Sequence, residues 1–304
     1  MSPCTSSHIN NGWLNIYKDR GISSNDVLKK LKRKFLLKKL GHYGTLDPLA
    51  SGVLPIAIGE ATKTINFINN NFKKYSFTII WGKETDTCDA EGKVIKKSSV
   101  RPKVKDIKLV INQHFTGIIN QKPPIFSAVK INGVRAYKLA RKNIKFETKL
   151  KKINIMDFNL KENIVNNHTK FRIKCSSGTY IRSIARDLSH KLDTFGYAEN
   201  IIREENSFFT TQNSINLNDI LDADINDLNK FLLPVDFAIK NYPSINLEKK
   251  YSDILKAGNM VYIKSYEEIG DNISDFFLVK SNKKLVSIAN LKKGYIIPRR
   301  NFIN

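Results

Sequence analysis

The chain of 304 residues carries 51 Lys and Arg against 28 Asp and Glu, which gives a formal net charge of +23 at pH 7. Its length and its hydrophobic content of 41% suit a globular protein with a substantial core, most simply divided into two domains. This charge favours polyanionic partners, nucleic acid first, although a compositional bias towards Lys, Asn and Ile is an alternative cause. Because the sequence has no apolar run of about 18 residues and its N-terminus lacks the pattern of a secretory signal, we expect neither a membrane span nor export.

The cysteines indicate a reducing compartment. Cys4, Cys88 and Cys175 are scattered along the chain, without the Cys-x-x-Cys spacing of a zinc site or the density of a disulfide framework. We therefore expect free thiols and a cytoplasmic protein, with Cys175 in the core of a strand.

The first predicted helix has a strongly basic surface. Ser23 and Asp26 have the spacing of a helix start, and Val27 and Leu31 follow on one face. Residues 1–40 contain nine Lys and Arg against two acids, whereas a solvated helix face normally mixes both signs. We therefore predict that an anionic backbone binds here. The basic residues that precede residue 41 most closely are Lys29, Lys30, Lys32, Arg33, Lys34, Lys38 and Lys39.

Residues 41–55 form a loop that is dense in reactive side chains. They place Asp47 among Gly and Pro residues, and an apolar segment follows over residues 53–58. Asp-Pro alone is a common way to start a turn, because Asp bonds its own backbone and Pro fixes φ. The same loop also carries His42, a Tyr, a Thr and three glycines, and glycine lets a backbone approach a ligand closely. We take Asp47 as the catalytic candidate and keep the structural turn as the alternative.

The segment after this loop mixes strands with helices. Residues 75–81 alternate like a strand, with their aromatic and apolar side chains on one face. Asn132 and Gly133 predict a hairpin turn between strand-like residues 126–130 and 135–139. Further strands are predicted over residues 153–160 and 169–175, and a helix over residues 183–192. This mixture indicates an α+β fold with a largely antiparallel sheet.

The C-terminal part of the chain has a different pattern. A polar connector, helical or loop-like, is predicted over residues 213–229. Residues 245–304 contain short strand-like runs separated by Gly, Asn and Lys, which predicts a small β-rich, barrel-like module. The runs are residues 260–263, 276–279, 285–289 and 295–297.

Several motifs in one order resemble the TruB family of tRNA pseudouridine synthases. Residues 41–52 match the family's signature loop, Gly-His-x-Gly-x-Leu-Asp-Pro-x-Ala-x-Gly. The other matches lie at residues 59–63, 74–75, 82–92, 121–130, 177–182 and 298–300, so that the resemblance spans roughly residues 13–300. It implies a mixed, largely antiparallel sheet flanked by helices, in a catalytic domain over residues 10–235. It also implies an RNA-binding hairpin insertion at about residues 120–148 and a PUA-like RNA-binding domain over residues 245–304.

The resemblance implies that uridine 55 in the T loop of tRNA is isomerised to pseudouridine. Since this reaction changes neither the atoms nor the oxidation state, we expect no cofactor and no metal. Asp47 is the implied nucleophile or base. Arg182 is the implied cation that holds its carboxylate, in place of the surface arginine at a helix start that the sequence alone would predict.

Four further residues are assigned to the substrate by the resemblance. Tyr75 stacks on the flipped uracil and Tyr180 contacts the same nucleotide, although core burial is the default for both residues. Ile202 supplies an apolar wall to the uracil pocket. His42 fills the gap that the flipped base leaves in the RNA stack, with a backbone-bonded loop histidine as the alternative.

Other charged residues have supporting roles. Lys63 and Lys130 contact phosphate or a buried acid, or are ordinary surface lysines. Asp89 joins the polar network of the active site, because the spacing of the acids around it does not fit a calcium loop. The chain departs from the family at Glu204 and Glu205, where family members usually continue a Leu-Arg-Arg-Thr motif, and this puts a second phosphate contact in doubt.

The implied partner is the T-arm stem-loop of tRNA, bound by a monomer with no obligatory protein partner. Two other classes stay open. A non-catalytic RNA-binding or tRNA-folding factor fits the charge and the C-terminal module, and a metal-dependent nuclease fits the acids near Asp89. The joint presence of Asp47, Tyr75, Tyr180 and Arg182 favours the enzyme.

Overall fold

The computed structural model describes residues 11–264 and 276–303. Cys4 and the N-terminal residues that lack a signal pattern lie outside the described residues. The strands, in chain order, are β1 (Gly12–Lys18), β2 (Leu40–His42), β3 (Ser51–Ile58), β4 (Phe72–Trp81), β5 (Lys83–Thr85), β6 (Val94–Lys97), β7 (Gly117–Gln121), β8 (Lys130–Ile131), β9 (Val134–Arg135), β10 (Lys151–Val165), β11 (His168–Ser176), β12 (Gly196–Asn206), β13 (Phe209–Thr210), β14 (Ile215–Asn216), β15 (Ser244–Asn246), β16 (Val261–Tyr262), β17 (Phe277–Ser281), β18 (Lys284–Lys292) and β19 (Tyr295–Asn301).

Helices connect these strands. The α-helices are α1 (Ser24–Lys34), α2 (Val104–His114), α3 (Ala136–Arg141), α4 (Ile181–Lys191), α5 (Leu217–Asp222) and α6 (Lys249–Lys256). Short 3₁₀ helices lie at Gly59–Phe67, Thr211–Asn213, Ile225–Phe231 and Phe237–Ile239. Within the described ranges, no helix is long and apolar enough to cross a membrane.

A ten-stranded sheet forms the larger part of the molecule. Its central path runs β14-β1-β3-β12-β4-β11-β10-β7, with β2 on β3 and β13 on β12. The pairs β1–β14 and β3–β12 are parallel and the other pairs are antiparallel. The predicted mixed, largely antiparallel sheet flanked by helices is therefore confirmed.

The local predictions for the first helix and the central strand hold. Ser23 caps α1, since its Oγ accepts a hydrogen bond from the backbone N of Asp26 at 3.1 Å. Val27 and Leu31 are fully buried, as their spacing predicts. The aromatic and apolar residues of β4 face the same core, and each such burial stabilises the fold by about 1.5–3 kcal/mol. Cys175 is fully buried in β11, as expected.

The hairpin prediction is correct at its turn and wrong beyond it. Asn132 and Gly133 have φ of 47° and 83°, which the tight turn between β8 and β9 requires. Only two residues on each side pair as strands. Residues 136–139, predicted as part of a strand, begin helix α3, because the sequence Ala-Tyr-Lys-Leu-Ala-Arg is rich in helix formers.

A second sheet of five strands, in the order β15-β17-β18-β19-β16, forms the C-terminal part, as the strand-like runs predict. Its inner face packs on α6. Its other apolar side chains share one core with the large sheet. This shared core joins Trp13, Val53 and Ala57 of the large sheet to Ile288 and Phe302 of the C-terminal part. The two sheets are therefore stabilised by burying the same apolar surface.

Candidate active site

Asp47 lies in the loop between β2 and β3, residues 43–50. Its carbonyl accepts a hydrogen bond from Ala50 N at 3.1 Å, which closes a turn with Pro48 in its second position. Asp47 thus forms the turn that Asp-Pro predicts, and its carboxylate is still free to project from the loop.

Buried polar side chains form hydrogen bonds with the backbone of this loop. Ser24 Oγ accepts a bond from Leu46 N at 2.8 Å and donates one to Leu46 O at 2.9 Å. Lys18, fully buried in β1, donates to Pro48 O at 3.3 Å, and burial lowers its pKa to about 8. Asn206 donates to Tyr43 O at 2.7 Å. Because these bonds come from α1, β1 and β12, three elements fix the loop that carries the acid.

Arg203 is the largest of these anchors. It is fully buried in β12 and donates to Val53 O at 2.8 Å, to Gly44 O at 2.9 Å and to Thr45 O at 3.4 Å. Tyr75 is its register partner on the neighbouring strand β4. Arg203 has no role predicted from sequence, although it lies inside the motif that departs from the family. Its sequence signal is weak, because the apolar Ile202 precedes it and a glutamate, Glu204, follows it.

Arg182 is the cation beside Asp47. Its Nη2 lies 2.8 Å from Asp47 Oδ2, as the resemblance implies. The Arg182 side chain is 6% exposed and that of Asp47 is 41% exposed. The guanidinium also donates to the carbonyls of Thr87 at 3.1 Å and Phe126 at 3.0 Å. Arg182 is therefore an interior anchor and not a surface arginine.

Asp89 lies on the other side of Arg182, with its Oδ2 3.4 Å from Arg182 Nη1. Its Oδ1 accepts bonds from Thr87 Oγ1 at 2.5 Å and from Glu91 N at 3.0 Å. Burial raises the pKa of Asp89, while the bond from Thr87 and the charge of Arg182 lower it. Asp86, the other acid of this turn, accepts a bond from Lys93 N at 2.9 Å. In the part of the chain that the structure describes, no three His, Cys, Asp or Glu side chains converge as a metal site would require.

Tyr75 lies on β4 opposite Arg203 and is 6% exposed. Burial raises the pKa of Tyr75 to about 12, so that its phenol stays protonated. Ile202 is half-buried on β12, in register with Ser76. Its neighbour Ile201 is buried in the cluster that contains Tyr75, which makes it a second candidate for an apolar wall. A register shift between residues 199 and 202 of β12 interrupts the alternation of side chains, and the sequence does not reveal this shift.

Tyr180 immediately precedes α4. Its backbone N donates to Gln121 Oε1 at 2.8 Å, and Gln121 Nε2 donates to its carbonyl at 3.1 Å. Burial raises the pKa of the Tyr180 phenol, and the charge of Asp47 raises it further. The structure therefore brings Tyr180 close to Asp47 and Arg182.

The remaining predicted residues lie around this centre. His42 is half-buried, and within the described residues its Nδ1 has no hydrogen-bond partner. Burial, followed by the charge of Arg203, lowers the pKa of His42 and favours its neutral form. Lys63 pairs with Glu60 at 2.6 Å and donates to Asn301 O at 3.0 Å, so it contacts an acid on its own chain. Lys130 is exposed on β8.

Glu204 and Glu205 are paired within the chain. Glu204 lies 2.9 Å from Arg172, and Glu205 lies 3.0 Å from Lys74. Each glutamate therefore neutralises a cation that would otherwise face solvent or a ligand. This pairing is consistent with the doubt about a second phosphate contact at this motif.

These residues define a site for a carboxylate reaction on a flat ligand. Asp47 offers a charged oxygen at an open position, and Arg182 fixes its orientation. Two phenol rings come from separate elements, Tyr75 from β4 and Tyr180 from the start of α4. The arrangement can place an aromatic ring against a nucleophile or base without further reorganisation.

Comparison with known proteins identifies the family of this chain. Residues 32–181 match the family model described as "TruB family pseudouridylate synthase (N terminal domain)". The chain is 40% identical over 299 residues to the tRNA pseudouridine synthase B of Rhodospirillum rubrum, with 95% of both chains covered. It is 37% identical over 301 residues to that of Ehrlichia ruminantium, with 96% of this chain and 99% of the relative covered.

The fold also matches a solved structure. A chain of a Cbf5-Nop10-Gar1 complex aligns with a TM-score of 0.70 at 21% identity, over 96% of this chain and 85% of that one. The two chains therefore share one overall fold. With the relatives' identity over nearly the whole length, the chain belongs to the TruB family of pseudouridylate synthases.

Proposed function

We propose that this protein isomerises uridine 55 in the T loop of tRNA to pseudouridine, with Asp47 as the nucleophile or general base. The observation that carries this function is the Asp47–Arg182 pair, a half-exposed carboxylate fixed by a buried cation. The relatives' name, tRNA pseudouridine synthase B, supports tRNA as the substrate class. The T loop is the target that we assign within that class.

The reaction breaks the N1–C1′ glycosidic bond, turns the uracil and joins its C5 to C1′, while one proton moves from C5 to N1. Atoms and electrons balance within the nucleotide, so the reaction consumes neither a redox cofactor nor ATP. A carboxylate can attack the sugar or base, or can take the C5 proton. Because Asp47 Oδ2 faces Arg182, Oδ1 is the atom that we assign to the substrate.

The side chains around Asp47 suit a flipped uracil. Stacking of a base on an aromatic ring contributes about 1–3 kcal/mol, which offsets the few kcal/mol that unstacking costs. We assign this stacking to Tyr75, with Tyr180 and Ile202 as further walls of the pocket. The half-buried ring of His42 then fills the gap left in the RNA, since its neutral form is a flat group of suitable size.

The basic surface of α1 adjoins the active loop, because Ser24 at the start of this helix bonds Leu46. Its lysines at positions 29, 30 and 32 are exposed. We assign this surface to the RNA backbone, together with the hairpin insertion at about residues 120–148 and the PUA-like domain at residues 245–304. Lys130 belongs to that hairpin and Asp89 supports Arg182.

We assign the protein as a monomer without an obligatory protein partner. We place the enzyme in the cytoplasm, where tRNA is processed. The deciding experiment incubates the full-length protein with an unmodified tRNA transcript at low salt and maps pseudouridine by position. We expect product at uridine 55, and none from a transcript that carries cytidine there. Absence of product would contradict the assignment, and tight RNA binding without product would favour the non-catalytic RNA-binding factor.

A further inference from the structure

A buried lysine lies beside the proposed uridine pocket. Lys73 precedes Tyr75 by two residues on β4, and side chains two apart in a strand point to the same face. Lys73 is 8% exposed, close to the value for Tyr75. The core face that holds the tyrosine therefore also holds an ammonium group.

Lys73 differs from the other buried cations near the loop. Lys18 and Arg203 donate to loop carbonyls, and Arg182 lies between two carboxylates. Among the described residues, by contrast, no protein acceptor lies within hydrogen-bonding distance of Lys73 Nζ, which lies 5.9 Å from the centre of the Tyr43 ring. The side chain is largely buried, but Nζ is not one of the fully enclosed polar atoms, so its N–H donors are open to a ligand.

The surroundings of Lys73 are positive. A Cβ at Gly44 would lie 2.8 Å from Lys73 Nζ and 3.3 Å from Arg203 Nη1, so both cations contact the bare backbone of this glycine. The charge of Lys151 also lowers the pKa of Lys73. The Nζ of Lys151 lies directly against Gly178. The two glycines leave space next to each ammonium group that a side chain would fill.

The groups that act on Lys73 include no carboxylate. They are Arg203 from β12, Cys175 from β11 and Lys151 from β10. Burial, followed by the charge of Arg203, lowers the pKa of Lys73 to about 7. The nearest acid along the neighbouring strand, Glu205, is held by Lys74. In the free protein the ammonium form is thus disfavoured, and an anion placed here would favour it.

We propose that Lys73, assisted by Lys151, binds a phosphate of the RNA strand immediately next to the uridine that enters the pocket. This assignment rests on the proposed function, because it takes the flipped nucleotide as the ligand of Tyr75. Residues two apart in a strand are separated by about 6.8 Å, which is comparable to the reach from a base to its own or the adjacent phosphate. Lys73 is therefore a positioning residue: it fixes the backbone of the flipped nucleotide while Asp47 reacts.

The test uses full-length Lys73→Met, which keeps the buried stem and removes the charge. The matched control is Lys74→Met, the adjacent lysine on the opposite face, which pairs with Glu205. The probes are T-arm stem-loop RNAs, either unmodified or with one neutral methylphosphonate linkage, on the 5′ or the 3′ side of the target uridine. Dissociation constants and single-turnover rates at saturating RNA are measured for each pair.

Lys73→Met is expected to bind unmodified RNA at least about tenfold more weakly than wild type, since it loses a charged, desolvated hydrogen bond. When the methylphosphonate replaces the phosphate that Lys73 contacts, wild type and Lys73→Met are expected to bind that RNA with equal affinity. When it replaces the phosphate on the other side of the uridine, Lys73→Met is expected to bind more weakly than wild type, as it does with unmodified RNA. Lys74→Met is expected to change affinity less than about twofold, as for a partly exposed ion pair.

Equal binding of unmodified RNA by Lys73→Met and wild type would overturn the phosphate site. An equal loss on all three RNAs would also overturn it, because Lys73 would then act on the structure of the protein. Wild-type protein that makes no pseudouridine from the unmodified stem-loop or tRNA would instead reject the proposed function. The two failures are therefore separable in one set of measurements.

Discussion

Arg182 and Asp47 form an ion pair in which the cation is buried and the acid is open, with 6% and 41% of their side chains exposed. In the free protein the guanidinium also donates to the carbonyls of Thr87 and Phe126. Its position is therefore set before the substrate arrives, and no reorganisation is required at the moment of reaction. RNA that covers the loop would remove water from the acid and strengthen the pair.

Asp47→Asn is expected to abolish catalysis and keep RNA binding. Asn retains the size and turn-forming capacity of Asp, and the loop keeps its anchors from Ser24 and Arg203. Loss of the nucleophile or base is expected to lower the single-turnover rate by several orders of magnitude. Rates and dissociation constants with tRNA check both parts.

Asp106→Asn is the control for this experiment, because Asp106 is an exposed carboxylate on α2. It is expected to leave both quantities unchanged. If Asp47→Asn kept more than about a tenth of the wild-type single-turnover rate, with deamidation excluded, Asp47 would be neither the nucleophile nor the general base. Loss of binding together with activity would show that Asp47 is only a turn residue.

Arg182→Met is expected to destabilise the protein as well as inactivate it. Asp89, with a side chain 3% exposed, would be left without its cation, and breaking a buried pair costs about 3–5 kcal/mol. Asp89→Asn in the same chain is expected to recover part of this loss, because it removes the stranded charge. Chemical denaturation measures the free energy of unfolding. Lys191→Met, which removes an exposed cation from the same helix, is expected to cost less than about 0.5 kcal/mol, and an equal cost for both variants would show that Arg182 does not stabilise Asp89.

Lys73→Met is expected to stabilise the free protein in a pH-dependent way. The pKa of Lys73 is about 7 in the folded state and near 10.5 when unfolded, so the unfolded chain binds more protons between these values. The penalty for burying this lysine is therefore fully present below about pH 7 and declines as the pH rises towards about 10. The melting temperature of Lys73→Met should exceed that of wild type by most at low pH. A constant difference across this range would contradict the depressed pKa.

Most residues of the candidate site could be named from sequence, because they fall in dense local motifs. Asp47, Tyr180 and Arg182 each lie in a run of Gly, Thr and aromatic residues that core packing alone does not require. The anchors of the loop were not predictable in the same way. Ser24 at a helix start reads as a capping residue, and only tertiary structure shows that it bonds Leu46.

Register and helix propensity explain the other differences. Ile202 was chosen from its motif, but the shift in β12 puts Ile201 in the cluster with Tyr75, and alternation alone does not report such a shift. Residues 136–139 follow a hairpin signal, which predicts continued strand. Once the turn is made, the chain at Ala136 bonds back to Val129 O, and the short helix α3 replaces the strand.

Affinity for tRNA is expected to fall steeply between about 50 and 200 mM salt, because the contacts are mainly to phosphate. Lys30→Gln, Lys32→Gln and Arg33→Gln together should reduce the slope of log affinity against log salt by up to about 2–3, since each lost phosphate contact removes about 0.7–0.9. Titrations at several salt concentrations give this slope. The control removes the same charge from the surface of α2 and its start, with Lys103→Gln, Lys105→Gln and Lys108→Gln. Equal slopes for the two triple variants would assign the salt dependence to overall charge.

Phe302→Ala is expected to destabilise the whole chain, although it lies near the C-terminal end. Phe302 is 1% exposed in the shared core with Trp13, and the adjacent Ile303 N donates to Glu60 at 2.9 Å. Loss of a buried Phe costs about 3–5 kcal/mol, and here the cavity would open against strands of the large sheet.

Ile303→Ala is the matched control, because this neighbour is 78% exposed and its substitution is expected to cost less than about 0.5 kcal/mol. Unfolding is followed by tryptophan fluorescence in a Trp13→Phe background, which leaves Trp81 in the large sheet as the probe and distinguishes loss of the C-terminal part alone from loss of the whole. If Phe302→Ala unfolds in a single transition at milder conditions than wild type, the two sheets unfold together. In that case deletion of residues 245–304 would expose Trp13 and Val53 to water, and the truncated chain would lose stability as well as tRNA affinity. If Phe302→Ala leaves the unfolding transition of Trp81 unchanged, the large sheet is stable without the C-terminal sheet. Deletion of residues 245–304 would then weaken tRNA binding and leave the single-turnover rate unchanged.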